Sequence, residues 1–171
     1  MDKIGLDNSL NFVLRLNQKE KMGLKPLLWI ILSLGLMWSK SSYGKVTGGT
    51  FVSGLGQTLS KVVDKNPYPF FKQFLTDVAI PNSVLFGNLT MWGEVLVAIS
   101  LTLGAILLLF NPGVNKLVYL AVIGGLAGGL LLNIVFWFGF GWTSPSTDSV
   151  NLLMAAIEIV GIIFLVKQYS A

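Results

Sequence analysis

Four polar side chains stand inside otherwise lipid-like runs of this chain: Lys40, Glu94, Asn133 and Glu158. Groups that ionise are expensive to place in hydrocarbon, and there they mark proton relays, substrate pathways or counter-ions. The sequence has no cysteine and no histidine. Thiolate catalysis, disulfides, iron–sulfur ligation and His-ligated haem or copper are therefore excluded for it. Carboxylates, lysines, amides, hydroxyls and aromatic rings remain. No metal or haem site is expected, and a redox cofactor held by this chain alone would be organic.

The depths of these groups suggest one site. Glu94 lies about one turn inside the start of its apolar run, and Lys40 about one turn before the end of another, at ~1.5 Å per residue. Asn133 precedes Trp142, an expected membrane-edge residue, by nine positions. Glu158 is eight residues into the last run, roughly 12 Å deep. Each depth is counted from the face opposite the termini, so all four groups fall in one half of the bilayer. Each also has a simpler reading. Lys40 can snorkel to the headgroups, Glu94 and Glu158 can be hydrogen-bonded structural carboxyls, and Asn133 can join two helices.

The elements that must position them are apolar helices. The composition is 53% hydrophobic and 12% charged, where a soluble domain carries about 25% charged residues. Mean hydropathy is +0.72, and an integral membrane protein is expected. Continuous apolar runs cover residues 26–44, 89–110, 117–142 and 150–166. Each is close to the roughly 17–25 residues that cross a bilayer core, and lipid requires helices or a closed barrel. The runs do not alternate, so the expected fold is an all-α four-transmembrane-helix bundle. Residues 25–171 form that domain, and residues 1–24 form a basic arm, either an interfacial helix or a mobile tail. A cleaved signal peptide is the rival reading of the first run; the long stretch before it and its two tryptophans argue against that.

On the third run Gly125, Gly129 and Asn133 share a face, and the pairs Gly124/Gly128 and Gly125/Gly129 are small-xxx-small patterns suited to close helix packing. Asn151, Ala155, Glu158 and Ile162 share a face on the fourth. Trp92, Trp137 and Trp142, with Phe136, Phe138 and Phe140, form either an interfacial aromatic belt or a flat slot for a quinone ring.

The net charge is +4, from 12 basic and 8 acidic residues. The side of the termini holds Lys3, Arg15, Lys19, Lys21, Lys25, Lys116 and Lys167; the other holds Lys40, Lys45, Lys61, Lys65 and Lys72. This bias predicts cytoplasmic termini and an extracellular long loop, 45–88, in a multi-pass plasma-membrane protein. No basic block interleaved with aromatics lies outside the apolar runs, so nucleic-acid binding is not expected.

Within that loop, Pro67 and Pro69 stop any helix from running through "NPYP". Phe70, Phe71, Phe74, Leu75 and Val78 then recur at helical spacing, with Lys72, Gln73, Thr76 and Asp77 opposite. A short amphipathic interfacial helix is expected, closed by Pro81. It either plugs the outer end of the bundle or serves as a lid over the polar half below.

Four stretches carry a family resemblance: "LLWIILSLGLMWSKSSYGKV", "NPYPFFKQFLTDVAIPN", "WGEVLVAISLTLGAILLLF" and "NLLMAAIEIVGIIFLV". Together they resemble the DoxD/DoxX family of small four-helix membrane proteins over about residues 26–166. The Gly93-Glu94 pair and Gly104 fit the family's second helix, and "NPYPFF" followed by "PN" is the most specific element. The similarity is to DoxD in particular, the membrane subunit of the thiosulfate:quinone oxidoreductase of sulfur-oxidising archaea.

The resemblance implies oxidation of two thiosulfates to tetrathionate, with electrons passed to a membrane quinone of the caldariellaquinone type. It also implies a smaller DoxA-like second subunit and, in some members, terminal oxidase subunits. On that footing Lys40, Lys45 and the loop lysines attract thiosulfate, and Glu94 or Glu158 accepts or relays quinol protons. Asn133, Asn151, Trp92, Trp137 and Lys45 are the expected contacts to substrate or quinone. Two other readings stand beside this one. One is a non-catalytic membrane subunit scaffolding a respiratory terminal oxidase; the other, a small transporter, is disfavoured by the lack of an inverted repeat or interrupted helix pair.

Overall fold

Apolar runs in lipid fold as helices because only a helix satisfies each segment's backbone groups internally. The computed structural model describes the backbone of residues 3–111 and 115–170, and the side chains of 24–111 and 115–169. Among the described residues it is helical with no strand: α1 (Lys3–Gly48), α2 (Phe51–Val62), α3 (Pro69–Phe74), α4 (Ser83–Phe110), α5 (Lys116–Phe140) and α6 (Pro145–Ser170). Local chemistry sets several of these ends. Asn115 accepts a hydrogen bond from the Leu117 N–H at 3.0 Å to start α5. Ser144 does the same for α6 through the Thr147 N–H at 3.2 Å, with Pro145 at the first helical position.

Among the described residues three helical segments, Ser83–Phe110, Lys116–Thr143 and Pro145–Tyr169, are long and apolar enough to cross a membrane. The helix over residues 26–44 is present but belongs to the longer α1, which continues through Pro26. Among the described residues, which begin at 24 for side chains, it is not one of the three; its apolar run reaches Trp38, and Ser39, Lys40, Ser41, Ser42 and Lys45 follow. Up to residue 23, the side chains of the basic arm expected over 1–24 lie outside the described residues, as do residues 112–114 of the expected turn between α4 and α5.

The stretch 45–88, read from sequence as a long loop with one short helix, is mostly helical and that reading is corrected. It holds the end of α1, α2, a 3-10 turn (Val63–Lys65), α3, a π-helical turn (Leu75–Ala79) and the first residues of α4. In α2, Gly54, Gly56 and the hydroxyl residues dilute the apolar spacing of Phe51, Leu55 and Leu59, which hid the helix. The glycines are there for contact. A Cβ on Gly56 would meet Ser83 Oγ at 2.7 Å, and one on Gly87 would meet Val52 Cα at 3.0 Å. Close approach of this kind fastens α2 against the start of α4.

The main core joins Leu28, Ile31, Leu34 and Trp38 of α1 with Val97 and Leu101 of α4, Val122 and Leu126 of α5, and Met154 and Leu165 of α6. Lipid is as apolar as leucine, so such contacts are held by close packing and polar links rather than by water exclusion. Close packing is visible at the glycines. A Cβ on Gly35 would lie 2.7 Å from the Thr102 backbone nitrogen, and one on Gly125 would lie 2.8 Å from Ser100 Cβ. Of the two overlapping glycine patterns, Gly125/Gly129 faces the core, whereas nothing lies within 4 Å of a Cβ at Gly124.

Gly35→Val should therefore destabilise the protein by about 1–3 kcal/mol, since the clash is with backbone and cannot be relieved by a rotamer change. Gly124→Ala should be neutral or slightly stabilising, since Ala exceeds Gly in helix propensity by about 1 kcal/mol. Unfolding of both variants in the same detergent or lipid tests the contrast.

Candidate functional site

Trp38, Ser41 and Lys45 stand at i, i+3 and i+7 on α1, so one face of that helix carries an indole, a hydroxyl and an ammonium. Glu94 of α4 is fully buried against this face. Lys45 Nζ donates to both its oxygens, at 2.8 Å to Oε1 and 2.7 Å to Oε2. Ser41 Oγ donates to Oε2 at 3.0 Å and accepts from Lys45 Nζ at 2.9 Å. The ammonium also lies over two rings, Phe51 at 5.2 Å and Phe136 at 5.9 Å from the centroids. Two charges thus neutralise each other between α1 and α4.

A second cluster lies on the other side of Phe136, whose ring is 6.3 Å from that of Trp38. Glu158 of α6 is fully buried. Its Oε1 accepts from Trp38 Nε1 at 3.2 Å, and its Oε2 from Asn133 Nδ2 at 2.8 Å. Gly129 makes room for it, because a Cβ there would collide with Glu158 Oε1. The small residue and the amide one helical turn above it on α5 thus form the seat of one carboxyl.

Beside the first cluster is a cavity of about 690 Å³. Ser41 and Lys45 form one wall, α2 and α3 with the π-helical turn contribute Phe51, Leu59, Phe71, Phe74 and Leu75, and Phe136, Phe140 and Asn151 close the far side. The covering segment is pinned at the "NPYP" turn. Asn66 is buried; its Oδ1 accepts from the Tyr68 N–H at 2.9 Å, and its Nδ2 donates to the Phe138 carbonyl at 3.0 Å. Phe138 in turn packs among Tyr68, Phe70, Phe71 and Trp137. The apolar face expected over residues 70–78 is divided: Phe71 and Leu75 turn inward onto the cavity, while Phe70 and Val78 are exposed.

The residues named from sequence are thus distributed unevenly. Glu94, Lys45, Glu158 and Asn133 come together in the two clusters, and Asn151 lines the cavity while donating to the Thr147 carbonyl at 2.8 Å. Lys40 points away, exposed, with no ion pair among the described residues. Trp92 is exposed on the outer surface of α4. Trp137 donates to Asp148 Oδ1 at 2.5 Å and stacks near Tyr68, so it fixes the covering segment instead of lining the cavity. Of the expected aromatic belt, Phe136 and Phe140 face the cavity. Sequence reasoning missed Trp38, Ser41, Phe51 and Asn66. The 38/41/45 spacing was a usable signal for the first two; Asn66 had only its place before a proline.

Compared with family models, curated proteins and solved structures, the chain matches none. Function is therefore argued from this geometry and the sequence.

Removing one partner of a buried ion pair leaves the other charge stranded. Lys45→Met should destabilise the protein by about 3–5 kcal/mol, and adding Glu94→Leu should restore most of that loss. Denaturation of the single and double variants in lipid checks both. Asn66→Ala removes two hydrogen bonds of the covering segment and should loosen it locally by about 1–3 kcal/mol. Amide exchange should then rise over residues 63–80 while α4 to α6 keep their protection.

Proposed function

We propose that this chain is the quinone-reactive membrane subunit of a thiosulfate:quinone oxidoreductase. In the overall reaction two thiosulfates each lose one electron and join through a new S–S bond as tetrathionate. The quinone gains two electrons and two protons and leaves as quinol. A DoxA-like second subunit completes the enzyme, and terminal oxidase subunits are further partners.

Beyond the family resemblance, one observation carries this reading: the cavity beside the Ser41–Lys45–Glu94 cluster. Ligand sites are commonly ~300–1,000 Å³, mostly apolar, with a few placed polar groups. The cavity's about 690 Å³ and its aromatic walls fit that description. A quinone head group is flat, apolar on its faces and polar at its two oxygens. Glu94 is the carboxyl nearest the wall through Lys45 and Ser41, and we assign it the role of relaying a proton to the reduced quinone. Glu158, behind Phe136 and Trp38, is the deeper carboxyl from which a second proton is drawn. The segment over α2 and α3 acts as the lid.

The finer topology belongs to the same proposal. The part of α1 over residues 26–44 is a fourth span, completing a four-helix bundle. Its polar second half is tolerated in lipid because its hydroxyls bond within the protein, as Ser39 Oγ does to the Gly35 carbonyl at 2.8 Å, and because Lys40, about one turn from the end of the span, can snorkel to the headgroups. Cytoplasmic termini then place the lid on the extracellular side, where an anionic substrate that cannot cross lipid arrives.

The complex purified with its partner subunits should reduce quinone in a thiosulfate-dependent manner. Thr90→Phe, which fills part of the cavity, should raise the KM for quinone by about tenfold and leave that for thiosulfate unchanged. Glu94→Gln should lower kcat by about 10²-fold or more, the usual range for a lost proton-transfer group. Full activity in both Glu94→Gln and Glu158→Gln would remove the carboxyls from the mechanism. Co-purification with oxidase subunits and no such activity would favour the scaffold reading.

A further inference from the structure

Lys45 is the one cationic side chain on the cavity wall among the described residues. A lysine ammonium has three N–H donors. Here they reach Glu94 Oε1, Glu94 Oε2 and Ser41 Oγ, at 2.8, 2.7 and 2.9 Å. Its charge is balanced by the carboxylate it bonds, and the rings of Phe51 and Phe136 cover it from two sides. The other polar residues on the wall, Thr50, Gln57, Thr58, Thr90, Thr147 and Asn151, are neutral.

The remaining lysines of this end of the protein do not help. Lys40, Lys61 and Lys65 are exposed and line no part of the cavity, and Lys72 sits 3.4 Å from Asp64 on the outer side of the covering segment. Glu158 adds no positive charge. An anion leaving water for this cavity would lose its hydration and find no uncompensated cation, which is strongly unfavourable. A neutral ring with carbonyl oxygens and an apolar tail loses little hydration on the same path.

We infer that the cavity is selective for a neutral quinone-type ligand and excludes thiosulfate, whose site lies outside it. This rests on the proposed function and reverses one part of the expectation drawn from sequence, that Lys45 attracts the anion. The selectivity comes from Glu94, which balances the ammonium's charge and holds two of its three donors, Ser41 holding the third. Replacing that carboxylate by an amide leaves one cationic charge uncompensated at the wall and should convert the cavity to anion binding.

The test uses the full-length chain in lipid nanodiscs and a short-chain benzoquinone, read by quenching of tryptophan fluorescence. The quinone should bind, and thiosulfate at constant ionic strength should leave its apparent Kd unchanged. In Glu94→Gln, thiosulfate should compete, raising the quinone's apparent Kd by about tenfold, a difference of about 1.4 kcal/mol. Competition by thiosulfate in the unaltered protein would overturn the inference and leave the quinone reading intact. Failure of Glu94→Gln to gain competition while it still binds quinone would also overturn the inference. If Glu94→Gln does not fold, competition in the unaltered protein decides the matter alone. Absence of quinone binding to the unaltered protein would sink the proposed function itself, and the inference with it.

Discussion

The ion pair between Lys45 and Glu94 is the interaction on which the outer half of this protein depends. A carboxylate with no exposed surface would be untenable in apolar surroundings without a cation and further donors. Lys45 supplies two hydrogen bonds and Ser41 a third, so the acidic group is matched in both charge and geometry. The same contact fixes the end of α1 against α4, and α2 begins three residues after α1 ends, past Gly49 at φ 67°. Phe51, in the first turn of α2, lies against the same ammonium. Charge balance, helix contact and placement of the covering segment are thus one arrangement.

The second carboxyl shows a different solution to the same constraint. Among the described residues no cation bonds Glu158; an indole N–H and an amide N–H occupy its two oxygens. Such a site requires helix backbones close enough for short side chains to meet, and Gly129 supplies the space. Glycine here acts through the volume it leaves empty. The two carboxyls, one balanced by charge and one only by dipoles, are two chemically distinct acids, with Phe136 close both to Lys45 and to Trp38.

The covering segment explains how a cavity persists above these groups. A turn with two prolines cannot continue a helix, and Asn66 ties that turn to the end of α5 by bonding the Phe138 carbonyl. Aromatic rings from α3 and α5 then interlock, with the Tyr68 and Phe138 centroids 5.1 Å apart. Because Phe71 and Leu75 point inward, the segment's apolar face roofs the cavity, while Phe70 stays on the outside. Polar and charged residues on the opposite side face outward, as in the link from Lys72 Nζ to the Asp64 carbonyl at 3.1 Å.

By itself, the sequence determined the helical class, the three strongly apolar helices and several of the buried polar residues, because hydropathy and helical spacing are local properties. Glu94, Asn133 and Glu158 were legible since an ionisable or amide group in an apolar run needs a reason. The partnering was not. Whether Lys40 or Lys45 meets Glu94 depends on the rotation of α1 about its axis, which is set by contacts with α4 such as Gly35 against Thr102. The helix α2 was hidden because Gly54 and Gly56 break the apolar pattern, Gly56 doing so to let α2 approach Ser83 of α4. Tertiary structure alone decided that Lys45 is neutralised, that Trp38 serves Glu158, and that the proline–aromatic segment roofs a cavity. Each of these depends on residues brought together from 49 to 120 positions apart in the chain, and no local pattern records such distances.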